Sequence, residues 1–176
     1  MTPLSYFSFA WRILLRDRLY SLAYGLTASL LFFVFYLSVR IHLSLFGGIS
    51  LSSIVSFDKT PQILFYSSLL SLTSLFFFHS LHRLGDIGVM MAVGGNRLGC
   101  IWLHTLVLFL LFSPSSLVGF FLGKLISPPG DWTLGLEFMS WGTGTAFFIL
   151  LGFVVSFPTI GLSSFVDPYR SIRRQK

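Results

Sequence analysis

The stretch Arg83-Leu-Gly-Asp86-Ile-Gly-Val-Met-Met-Ala-Val-Gly94-Gly95-Asn-Arg97 separates two segments apolar enough to cross a bilayer, and the rest of the chain is read outward from it. An acid at Asp86 suits a helix N-terminus through capping and the dipole. Ile87, Val89, Met90, Met91, Ala92 and Val93 make an apolar helical turn, and Gly94-Gly95 stops it. The pattern predicts a short capped helix within the segment 83–97. Met90 and Met91 offer adaptable contact area on it.

The flanking segments fix the solvent. Of 176 residues, 54% are hydrophobic and only 10% charged, with a mean hydropathy of +0.82. A soluble body of this size cannot bury that much apolar surface. A helix crossing the hydrocarbon core needs about 20 mostly apolar residues. Windows at approximately 19–39, 62–82, 101–123 and 137–162 satisfy this, so the expected fold is all-α, a single transmembrane domain over 1–176 with four spans. The first run is too long for a signal core and lacks a small-residue cleavage pattern, and is read as a retained span. The single Cys100 leaves no internal disulfide and reads as a small buried residue opening the third span.

Charge gives the expected orientation. Arg12, Arg16, Arg18, Arg83, Arg97, Arg170, Arg173, Arg174 and Lys176 border one side, against Arg40, Lys59 and Lys124 on the other. The positive-inside bias then predicts both termini and the middle segment in the cytoplasm. The net charge of +6 is explained by this topology, with basic residues at membrane borders beside anionic headgroups and no continuous basic face for nucleic acid. Tyr20, Trp102, Trp132 and Trp141 fall near span ends as interfacial aromatics, and Arg40 and Lys124 are expected to snorkel outward.

Before the first span, Phe7, Ala10, Trp11, Leu14 and Leu15 share one helical side, and Ser8, Arg12 and Arg16 another. This predicts an amphipathic elbow helix along the inner leaflet, anchored by Trp11, Arg12, Arg16 and Arg18. Arg18 fits only if it occupies the turn into the span. The elbow could brace the bundle or serve as a simple basic anchor. Small residues, among them Gly25 between Ser21 and Ser29, Gly119 and Gly123, and Gly142, Gly144 and Gly152, mark faces where helices approach closely, within one chain or between two. Pro114 and Pro158 remove backbone donors and are expected to bend or weaken their helices, with Ser113, Ser115, Ser116 and Thr159 nearby to satisfy the freed groups.

The outward segments, 40–61 and 124–136, the latter turning at Pro128-Pro129-Gly130, are shorter than the roughly 50 residues a folded domain needs. No catalytic set converges. His79 and His82 share a helix face without an acid or Cys to complete a metal site and are expected to face solvent or headgroups; His42 and His104 stand isolated. There is no nucleophile elbow and no phosphate-binding Gly-x-x-x-x-Gly-Lys-Ser/Thr loop.

The ordered set of Ala10-Trp-Arg-Ile-Leu-Leu-Arg-Asp-Arg-Leu-Tyr-Ser21, the Arg83–Gly95 run and Asp167-Pro168-Tyr-Arg-Ser-Ile-Arg-Arg174 resembles FtsX-like permeases, the ABC transporter class of MacB and LolC/LolE. The resemblance implies a coupling helix, Asp86, Ile87, Gly88, Met90, Met91, Ala92, Val93 and Gly94, that enters a groove on a separate cytoplasmic ATPase subunit. It also implies a second permease subunit, identical or related, and a bacterial inner membrane. ATP and Mg would belong to the ATPase, with no cofactor on this chain. The chain departs from the class where a large extracytoplasmic domain would stand between the first two spans, which leaves substrate recognition to the spans, to membrane lipids or to extracytoplasmic companion proteins. The expected function is a permease subunit moving a lipid-like, lipoprotein or amphipathic substrate. A relay of ATPase motion to an envelope partner without transport, and a structural subunit without a motor, remain alternatives.

Overall fold

The computed structural model describes residues 5–46, 59–92, 94–126 and 133–163. These form α1 (Tyr6–Arg16), α2 (Arg18–Phe46), α3 (Lys59–His82), α4 (Leu84–Ala92), α5 (Arg97–Ile126) and α6 (Leu134–Ser163), with no strand among them. Four stretches are long and apolar enough to cross a membrane: Arg18–Leu45, Gln62–Ala92, Arg97–Ile126 and Leu134–Gly161. A helix is the element that satisfies every backbone group internally where water is absent. Pro114 and Pro158 lie inside continuous helices. The Thr159 hydroxyl donates to the Val155 carbonyl, whereas Ser115 and Ser116 turn toward α2. Val93, Trp132, the Pro128-Pro129-Gly130 turn and the Asp167–Arg174 motif lie outside the described residues.

The chain divides into two compact units, one of Met1–Tyr24, Thr73–Leu111 and Leu150–Lys176, the other of Gly25–Leu72 and Phe112–Ile149. The second is an aromatic unit. A Cβ on Gly119 would lie 2.5 Å from the Phe32 Cβ and 2.7 Å from the Phe33 nitrogen, so α5 packs directly on the α2 backbone. Gly123 meets Tyr36 one turn further along, and Gly144 of α6 accepts the Tyr36 ring on its bare Cα. The Tyr36 hydroxyl shares a 3.0 Å hydrogen bond with Ser116, and Ser115 donates to the Gly25 carbonyl at 2.9 Å. Phe147 meets Phe35 and Phe65 edge-on, and Phe35 and Phe65 are tilted on one another, all at 5.5–5.8 Å between ring centres. Gly25, Gly119 and Gly123 therefore serve packing within this chain, as Gly152 does in the first unit against the Phe109 ring.

The first span runs past its expected end at Val39, and Arg40 departs from expectation with it. Its side chain is buried in the second unit, not snorkelling outward, and its guanidinium lies 3.8 Å from Glu137. Lys124, half exposed, donates to the same carboxylate at 2.8 Å. A charge held inside the span is tolerated because its counter-charge arrives from α6, almost a hundred residues away.

Candidate functional site

The first unit gathers its polar residues where α1 passes into α2 and α3 into α4. Asp17 leaves the helical region (φ −112°, ψ 60°) and so breaks α1 from α2. The Ser21 hydroxyl and Arg18 Nε donate to the carbonyls of Leu14 and Leu15 at 3.2 and 3.3 Å, satisfying the free C-terminal end of α1. Arg18 thus occupies the turn into the span. At the other end of α1, Ser5 is the N-cap and accepts from the Ser8 amide. Ala10 and Leu14 pack inward, while Phe7, Trp11, Arg12 and Leu15 stay on the surface.

Arg83 alone joins α3 to α4. Its side chain is 3% exposed, and its Nη1 donates both to Asp17 (2.5 Å) and to Asp86 (3.2 Å). Arg16, the last residue of α1, donates through Nη2 to both Asp86 oxygens at 2.8 and 3.0 Å and lies 3.6 Å from Asp17. Four alternating charges close a ring. Asp86 falls in the first turn of α4, as its dipole favours, but its carboxylate is engaged by guanidinium groups and not by a backbone amide.

Burial works against ionisation of Asp17, yet the hydrogen bond and charge of Arg83, followed by those of Arg16, outweigh it and hold the carboxyl below its ordinary 3.8. The hydrogen bond and charge of Asp86 raise the Arg16 guanidinium.

Behind the ring lies an aromatic stack. The Arg83 guanidinium lies 5.4 Å from the centre of the Tyr20 ring, which stacks on His82 at 4.1 Å and contacts Tyr24 at 4.4 Å. His79 meets Tyr20, Tyr24 and His104 within 6.0 Å, and His104 Nε2 shares a 3.1 Å hydrogen bond with Ser80. Two histidine expectations are corrected: His79 is fully buried and does not face headgroups, and His104 is not isolated. Hydrophobic burial by the surrounding spans brings them together. Among the described residues no group of three His, Cys, Asp or Glu is placed to hold a metal.

α4 itself ends as its glycines require. The Gly95 amide donates to the Met90 carbonyl at 2.9 Å and the Gly94 amide to Met91 at 3.1 Å, the paired bonds of a Schellman cap. Gly94 is left-handed at φ +93°, and a Cβ on Gly95 would lie 2.7 Å from the Met90 oxygen. Ile87 and Gly88, which the resemblance includes in the docking helix, are buried within the chain. Ile87 packs with Cys100, Ile101 and Ile160, and Leu84, Met90 and Met91 lean on the same cluster. Val89 and Ala92, one turn apart, are the exposed residues of the helix. An open groove of about 510 Å³ runs between α3 and α6, lined by Thr73, Ser74, Phe77, Leu81, Val154 and Pro158 among others.

Of the residues singled out from sequence, the structure thus joins Arg16 to Asp86, turns Trp11 and Arg12 outward and commits Arg18 to the helix turn. From sequence, Asp17 reads only as a member of the N-terminal run, and Arg83 as a topology charge that opens the Arg83–Gly95 run. The available signals were an Arg-Asp pair falling between two helical patterns and the three-residue spacing of Arg83 and Asp86. Comparison with protein-family models, with curated proteins and with solved structures found no match.

Proposed function

We propose that this chain is the permease subunit of an ABC-type complex in a bacterial inner membrane. α4 receives a cytoplasmic ATPase, which binds ATP and Mg, and a second permease subunit completes the pair. The observation that carries this reading is α4: nine residues closed by a glycine cap, fixed at Asp86 and Ile87, with Val89 and Ala92 left outward. A docking element must be rigid at its base and apolar at its tip for a push on it to move the spans behind it. Packing Ile87 on α5 and α6 residues supplies the base.

The substrate class is lipid-like or amphipathic. The groove between α3 and α6 supports this, because its apolar lining belongs to residues of the spans. Membrane lipids and extracytoplasmic companion proteins then complete what the short outward segments lack.

The test alters only the tip. A Val89→Asp, Ala92→Asp variant is expected to lose a co-purifying ATPase, encoded beside it and carrying a Walker A loop, after mild detergent extraction, with helix content unchanged. Retention of that ATPase by the variant overturns the docking assignment.

A further inference from the structure

We infer that Arg83 is a positioning residue that joins the elbow α1 and the short helix α4 into one rigid body. One nitrogen, Nη1, bonds the acid that ends α1 and the acid in the first turn of α4. Its neighbours Nε and Nη2 make no hydrogen bond to the protein, so the hold passes through that atom.

The arrangement resists rotation as well as separation. Arg16 and Asp17 are consecutive on one side, and Arg83 and Asp86 are three residues apart on the other. Two contacts at different points, Arg16 to Asp86 and Arg83 to Asp17, leave only rotation about the line joining them. The Tyr20 ring fixes the guanidinium from one face. Because Arg83 is almost wholly buried, its ion pairs are less screened than surface ones. The end of α1 is also tied to the start of α2, its Leu14 and Leu15 carbonyls accepting from Ser21 and Arg18.

The consequence rests on the docking reading of α4: a displacement of α4 reaches the elbow at the membrane surface directly through the ring, as well as through α3 and α5. Arg83 thereby directs part of the push to the start of α2. The joint itself is measurable without an ATPase, so failure of the docking assignment and failure of this inference are distinguished.

Spin labels at Arg12→Cys and Val89→Cys, both surface positions, report the α1–α4 distance by pulsed electron spin resonance. The full chain carries Cys100→Ser and is held in nanodiscs of phosphatidylethanolamine and phosphatidylglycerol. A pair at Leu30→Cys and Phe121→Cys reports on the second unit. Arg83→Gln is expected to widen the α1–α4 distribution about twofold while the second pair is unchanged, and Arg83→Lys to restore part of it. Asp17→Asn, which removes the partner of Arg83 on α1, is expected to widen it likewise and serves should Arg83→Gln not fold. A distribution in Arg83→Gln, or failing that in Asp17→Asn, as narrow as that of the unaltered chain overturns the inference.

Discussion

Each of the two units is held by its own kind of contact. In the second, contact is steric: bare glycine backbones at Gly119, Gly123 and Gly144 receive Phe32 and Tyr36, and one rearrangement of either partner leaves a clash or a void. In the first, contact is directional and ionic, a ring of Arg16, Asp17, Arg83 and Asp86 over a stack of tyrosine and histidine. The aromatic unit is fixed by shape, and the charged one by ion pairs that a single charge substitution or acid can undo.

The steric side breaks hardest. Gly119→Val places a Cβ against the Phe32 backbone, which no side-chain rotation relieves, and is expected to cost about 3 kcal/mol or more in thermal unfolding in detergent. Gly142→Ala, whose Cβ meets nothing within 4 Å, is expected to be neutral or slightly stabilising in the same assay.

On the ionic side the buried member is the cation, and this makes the ring asymmetric. Asp17→Asn with Asp86→Asn leaves Arg83 buried without a counter-charge and is expected to cost about 2–3 kcal/mol. Arg83→Met leaves two carboxylates a third exposed, which water can reach, and is expected to cost about half as much. Acid acts on Asp17. The folded Asp17 carboxyl titrates below its ordinary value, so its contribution is complete above about pH 4 and is lost as the pH falls further. The α1–α4 distance distribution is therefore expected to stay constant from pH 8 to pH 5 and to broaden below about pH 4.

Smaller effects sharpen the contrast. Gly94→Ala forces a side chain into a left-handed position and is expected to cost about 1 kcal/mol, read as faster hydrogen exchange in α4. Arg16→Gln removes a pair whose cation is 60% exposed and is expected to cost about 0.5 kcal/mol or less.

Much of the helical layout was legible because lipid imposes one rule, a long apolar run, on each span. The expected window at 62–82 differs from α3 by only three residues at its start. The window at 19–39 stopped short because Arg40 and His42 interrupt the apolar run, and the carboxylate that accommodates Arg40 belongs to α6. The glycine stop of α4 was readable for a local reason, since left-handed backbone favours glycine within that very turn. The ring was not readable as a ring. Its pairs span 66 and 70 residues, and periodicity reports which face a residue takes, not which distant charge meets it. The inward turn of Ile87 and Gly88 was hidden likewise, since an apolar turn of nine residues suits a buried face and a docking face equally.

On the proposed function, the outward side of α4 meets a nucleotide-binding protein. A photo-crosslinking amino acid at Ala92, with another at Ile63 of α3 as control, tests it in intact membranes. An adduct from Ala92, and none from Ile63, with an ATPase that carries a Walker A loop is expected. Adducts from Ala92 with phospholipid alone would contradict it.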